Sequence, residues 1–223
     1  MHEVKKRIIA AWNRFLQDPG GDNPDVRPVI LDSWRRSRAA GVDSFNVRKT
    51  VIAPDELQRK IQQNRQLYDT AAPIVEKLYE FVKGTGFCTI LSDRHGTVLK
   101  VYGDENSVDA AESNLLIEGA DRAESAIGTN AIGTVIHTRE PLQVWADEHY
   151  YKPNSVWSCS GAPIFAPDGE LAGVLCLSGN WESVHFHTPG MAVSGSPAVS
   201  KQLERPQPLV APANTRRQLD KVV

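Results

Sequence analysis

The sequence predicts an α+β fold in which helices flank an antiparallel sheet. Three observations predict it. Helical spacing of apolar residues dominates the first 83 positions, two hairpin signatures stand at 87–103 and 160–179, and a helical and irregular stretch, 104–140, separates them.

The first helix is read from Val4, Ile8, Trp12, Phe15 and Leu16, which recur at helical spacing. The loop QDPGGDNPDVR follows. Pro28 then suits the first turn of a second helix, with Leu31 and Trp34 on one face and Gly41 as terminator. The connection is far longer than the roughly 3–4 residues of a helix-turn-helix motif, so direct DNA binding by this pair is not expected. Whether the pair docks on the rest of the chain or reaches a partner stays open. Residues 54–83 predict one long helix with a stripe of Leu57, Ile61, Tyr68, Val75, Leu78, Tyr79 and Val82; Pro73 should kink or split it. FCTILSD and TVLKVYG, flanking Arg94-His95-Gly96, form the first hairpin. SGAPIFA and ELAGVLCLSG form the second around Pro167-Asp168-Gly169, where Pro presets one turn dihedral and Gly accepts the positive one. Pro141 to Val144 adds a short strand. Five prolines between 189 and 223 predict a disordered tail. The divisions expected are a helical segment at 1–53, a sensor-sized domain at 54–188 and the tail at 189–223.

Composition narrows the function. A formal net charge of -2 argues against a general polyanion binder, although residues 1–60 hold 12 Lys/Arg against 8 Asp/Glu. Three cysteines, Cys88, Cys159 and Cys176, without a C-x-x-C pair fit a reducing cytoplasm better than a disulfide scaffold or zinc site. No apolar run approaches the roughly 20 residues of a membrane span, and the apolar stretch Ile8 to Trp12 is too short for a secretory signal. A cytoplasmic protein is expected. No phosphate loop or dinucleotide fingerprint occurs, and no cofactor, metal or catalytic residue is expected. His185-Phe186-His187 and Glu148-His149 are too weak a pattern for a metal site.

The segment ESAIGTNAIGT, Glu124 to Thr134, is the most informative. Gly128 and Gly133 suit a tight turn or a close backbone approach, and Asn130 can cap a helix. Together with REPLQVWADEHYYKPNSVWSCSGAPIFAPDGELAGVLCLSG, it closely resembles the GAF-type sensor of sigma-54-dependent activators of the acetoin and dihydroxyacetone catabolism class. ILDSWRRSRAAGVD is similar to the short segment that precedes that sensor. The resemblance runs from about Ile30 to His187. It implies a GAF-like sheet, a bacterial regulator, and a cavity between the sheet and its irregular cap that receives a small metabolite. It also implies a following ATPase and DNA-binding domain; neither is encoded in these residues, so a truncated regulator that senses without output is expected.

The cap is expected from 124–160, and Trp145, His149, Tyr150, Trp157, Cys159, Ser160, Thr129 and Asn130 are the ligand-binding candidates. The rings supply apolar walls with polar tips, and the hydroxyls and amide can orient a small alcohol, ketone or aldehyde. Cys159 is the candidate for a reactive thiol, while Cys88 and Cys176 read as core. Two alternatives accompany the sensor: a GAF-fold, cysteine-dependent oxidoreductase acting on a small molecule, and a module that dimerises through its long helix without a ligand. A homodimer is expected in either regulatory reading.

Overall fold

A computed structural model of the chain describes residues 2–47, 50–104, 116–184 and 187–204. Five strands form one sheet in the order β2-β1-β5-β4-β3, every neighbouring pair antiparallel. They are β1 (Cys88–Asp93), β2 (Val98–Tyr102), β3 (Leu142–Trp145), β4 (Trp157–Phe165) and β5 (Leu171–Asn180). Both hairpins and the extra strand therefore form as the sequence predicts.

Because side chains alternate along a strand, the sheet has two distinct faces. Leu91, Leu99, Ile164 and Leu175 point to one face and pack on α4 (Arg65–Val82) through Leu67, Ala71 and Val75. Cys88, Ile90, Val174, Cys176, Trp157 and Cys159 point to the other. That second face is covered by α1 (His2–Gln17), α2 (Pro28–Ala39), the single turn α5 (Glu124–Ile127) and α6 (Ala131–Thr138).

The long helix predicted over 54–83 breaks, but not at Pro73. It divides into α3 (Pro54–Gln63) and α4 around Asn64, whose φ of -106° and ψ of 25° leave the helical range, and Pro73 lies inside a continuous α4. Helix α3 fully buries no residue and reaches the sheet through Lys60, which pairs with Asp93 at 3.2 Å, and half-buried Ile61, whereas Ala71, Ala72 and Val75 on either side of Pro73 are buried on the sheet side of α4.

The expected disorder from residue 189 is corrected over its first part: Thr188–Leu203 forms a helix, α7. Pro189 falls in the first turn, where no amide bond is lost. Pro197 is interior but faces solvent, while Ala192, Gly195, Ser196, Val199 and Leu203 pack inward. The Ser196 hydroxyl donates to the Pro163 carbonyl, and the Phe165 amide donates to Ser200 Oγ at 3.0 Å. Tertiary packing overrides the propensity of about 3 kcal/mol against an interior proline. The remainder of the expected tail, 205–223, lies outside the described residues.

The N-terminal helices dock on the cap. Trp12 meets Trp34 edge-on at 4.9 Å and Tyr150 at 5.1 Å, and Phe15 lies 5.4 Å from Trp34. Lys152 sits in this knot, its Nζ 3.7 Å from the centre of the Trp12 ring and donating to the Asp147 carbonyl at 3.0 Å. Burial pulls the Lys152 ammonium down from its ordinary 10.5 to about 7, against the opposing pull of Asp147.

A folded-state value below the unfolded one means that the unfolded chain binds more protons between about pH 7 and 10.5, so stability rises with pH across that window. Urea denaturation should show wild type gaining stability relative to Lys152→Met from pH 7 upward. A difference between the two proteins that stays constant with pH would show that Lys152 does not titrate as stated.

Candidate functional site

The two segments singled out in the sequence are partners in the structure. Arg36 of α2 donates from Nε to Glu124 Oε2 at 2.7 Å and from Nη2 to Oε1 at 2.9 Å, a bidentate pair. Ser33 Oγ donates to Glu124 Oε1 at 2.5 Å and stands 2.7 Å from Thr129 Oγ1. At the other end of α2, Arg27 donates to both oxygens of Glu148, at 2.8 and 2.6 Å, and Glu148 Oε2 accepts the Trp145 amide. Between them Trp34 Nε1 donates to the Glu148 carbonyl at 2.7 Å. Helix α2 is thus fastened to both sides of the cap.

Asn130 organises the turn below. Its Oδ1 accepts the amides of Ile132 and Gly133, each at 3.1 Å, and its Nδ2 donates to the carbonyls of Arg122 and Gly128. Gly128 has φ +76°, and a Cβ there would stand 2.6 Å from Tyr150; at Gly133 it would stand 2.6 Å from the Arg122 carbonyl. Both glycines serve close approach, as their spacing suggests.

The eight candidates divide by place. Thr129, Asn130 and Tyr150 belong to the framework: Thr129 meets Ser33, Asn130 has all its polar atoms engaged, and Tyr150 faces Trp12 and Phe15. Ser160 is opposite Leu177 in the β4–β5 ladder and so points to the α4–α7 side, where Gln143 donates to it at 3.2 Å. Trp145 packs edge-on against Trp181 at 5.3 Å and lines an outer groove with Val4, Ile8 and Arg27. His149, Trp157 and Cys159 come together on the capped face of the sheet.

His149 is wholly buried. Its Nδ1 lies 2.9 Å from the Ala146 carbonyl, which can only accept, so the proton is on Nδ1 and Nε2 carries a lone pair. Nε2 and the Trp157 indole nitrogen are buried and make no hydrogen bond among the described residues. One is an acceptor and the other a donor. Such groups, left dry and unpaired, each cost about 1–3 kcal/mol.

Sequence reasoning set two neighbours of this site, Cys88 and Cys176, aside as core, and passed over two more, Ser178 and Arg122. Cys176, Cys88 and Ser178 share the face, because Cys88 and Cys159 both pair with Ser178 across β5. Arg122 is 1% exposed, and its charge acts on all three thiols. The period-2 pattern of β5 was the available signal for Cys176 and Ser178; nothing local marked Arg122. A hydrogen bond from Cys176 and the nearby His149 hold the Cys159 thiol well below its ordinary value despite burial. The same bond, with burial, drives Cys176 up, and burial pushes Cys88 to about 12.

Comparison with known proteins agrees with this architecture. The GAF domain family profile matches residues 66–215. The acetoin dehydrogenase operon transcriptional activator of Bacillus subtilis is 34% identical over 196 residues, covering 87% of this chain and 32% of the activator. The propane 2-monooxygenase operon transcriptional activator of Mycolicibacterium goodii is 29% identical over 171 residues, 75% of this chain and 28% of that protein. The chain thus spans about a third or less of the length of these relatives. Among solved structures, the DhaR(N)–DhaL complex of Escherichia coli matches with a TM-score of 0.75 at 18% identity, over 79% of this chain and 60% of that one.

Asn130→Ala should lower stability by about 2–3 kcal/mol in urea denaturation, since it removes a buried cap and orphans two carbonyls. Gly128→Ala should be at least as damaging. An Asn130→Ala chain as stable as wild type would show that the turn does not depend on the cap.

Proposed function

This chain belongs to the GAF domain family, and we propose that it is the cytoplasmic small-molecule-sensing region of a bacterial transcriptional regulator, with a site under the cap formed by His149, Trp157 and Cys159. The observation that carries the reading is two buried polar groups on the capped face: the Trp157 indole N–H, with no hydrogen-bond partner among the described residues, and His149 Nε2, whose lone pair lies near the Cys159 thiol. An acceptor needs a ligand hydroxyl and a donor needs a ligand oxygen. A small hydroxyketone or diol supplies both, and an alkane supplies neither. The operons named for the relatives, for acetoin dehydrogenase and propane 2-monooxygenase, favour effectors of that size.

No helix among the described residues is long and apolar enough to cross a membrane. Self-association is part of the proposal: Phe81 on α4 is 79% exposed and lies beside an apolar groove shared with Leu78 and Met191. Phe81→Asp should leave a monomer in light scattering if that face pairs copies.

A thermal-shift screen with small hydroxyketones, diols and hydrocarbons of equal size should show stabilisation by the oxygenated compounds alone. Trp157→Phe should weaken binding about tenfold, the equivalent of one buried hydrogen bond. Equal stabilisation by the hydrocarbons, or full affinity in Trp157→Phe, would overturn the assignment.

A further inference from the structure

Three thiols meet on the capped face, and recognition of an oxygenated effector uses none of them as a reacting group. Cys159 on β4 and Cys88 on β1 flank Ser178 of β5 in register. Cys176 stands two residues from Ser178 on the same strand, so it shares the face and lies diagonal to Cys159. Its sulfur is 3.5 Å from Ser178 Oγ. All three cysteines are unbridged and buried.

From this juxtaposition we propose that Cys159 and Cys176 form an oxidisable dithiol, with Cys159 attacking a small hydroperoxide and Cys176 closing the disulfide. The inference needs no effector and goes beyond the sensing role. The local charges set the order of events. The neighbouring Cys176 thiol and, after it, His149 favour the charged form of Cys159, and the free Nε2 lone pair of His149 can take the Cys159 proton, so the thiolate rests on Cys159. Cys88, on the far side of Ser178, is pushed up to about 12 and stays protonated. The thiolate is the nucleophile.

In the first step the Cys159 sulfur bonds to the near oxygen of the hydroperoxide, the O–O bond breaks, and the departing oxygen takes a proton to leave as water or an alcohol. Cys159 is now a sulfenic acid. In the second step the Cys176 sulfur bonds to the Cys159 sulfur, the S–O bond breaks, and hydroxide leaves with the Cys176 proton as water. Two thiols have lost two electrons and two protons, and one peroxide has been reduced. Burial restricts the oxidant to hydrogen peroxide and the smallest alkyl hydroperoxides.

The ladder gives this bridge a particular character. Diagonal neighbours in an antiparallel pair stand about 7–8 Å apart, while relaxed disulfides span Cα distances up to about 6.8 Å. Closure therefore draws β4 and β5 together locally, and a strained bridge is readily reduced. Helix α7 packs across both strands on the opposite face, so that displacement reaches it.

The test is to expose the whole, effector-free chain to hydrogen peroxide, block remaining thiols with an alkylating agent, and map the peptides by mass spectrometry. A Cys159–Cys176 link should form, with Cys88 still alkylated, and Cys159 should react at least about tenfold faster than Cys88 because of its thiolate fraction. In Cys176→Ser, folded by circular dichroism, dimedone should trap a sulfenic acid on Cys159. Equal rates at Cys159 and Cys88, a link through Cys88, or oxidation only after unfolding in urea would each overturn the proposal. The wild-type map decides alone if Cys176→Ser does not fold. Because no effector is added, failure here leaves the sensing proposal standing, and an effector screen without hits leaves this one standing.

Discussion

Glu124 accepts the Arg36 guanidinium through both oxygens and the Ser33 hydroxyl through one, and the capped face is organised around that carboxylate. It opens α5, and Asn130 caps α6, which follows; the turn between them places Gly128 under Tyr150, and in α6 Gly133 stands against the Arg122 carbonyl. The same attachment holds α2 so that Trp34 reaches the Glu148 carbonyl. Without it, α2 would lose one of its two fastenings, and the aromatic knot of Trp12, Phe15, Trp34 and Tyr150 would lose its floor. The carboxylate is largely but not wholly removed from water, with 11% side-chain exposure, and three well-aligned donors compensate its desolvation.

This framework consumes polar groups that look available in the sequence. Thr129 and Asn130 are engaged by α2 and by the turn, so in the proposed site the groups for a ligand would come from the segment that follows, at His149 and Trp157. The division has a physical basis. A site that must discriminate a small molecule needs fixed geometry, and fixed geometry requires fully satisfied hydrogen bonds in its supports. In the proposed site, the atoms left without protein partners would confer selectivity, since their cost is relieved by a ligand with the complementary donor or acceptor.

The sequence made the local features legible. Pro167-Asp168-Gly169 and Gly96 encode their turns within a few residues, and Asn130 announces its cap by position alone. The failures are long-range. Thr188–Leu203 reads as broken by Pro189 and Pro197, yet Ala192, Ser196 and Val199 find a sheet face that outweighs the propensity. The division of 54–83 at Asn64 follows from which turns bury residues against the sheet, a property absent from the helical pattern itself. Ser160 was misplaced relative to Cys159 for a simpler reason: adjacent strand residues point to opposite faces, and alternation already separated them. Cys176 and Arg122 reach the site from distant parts of the chain, and only the register of β4, β5 and β1 reveals the company they keep.

The most direct measurement of the central claim is the indole N–H region of the nitrogen-15 NMR spectrum during titration with a small hydroxyketone. Trp34 is already bonded to the Glu148 carbonyl, whereas the Trp157 indole nitrogen is buried with no hydrogen-bond partner among the described residues. The account predicts a downfield shift of the Trp157 indole proton as it gains an acceptor, with the Trp34 resonance unmoved. Saturable binding that shifts Trp34 or Trp145 and leaves Trp157 in place would contradict it.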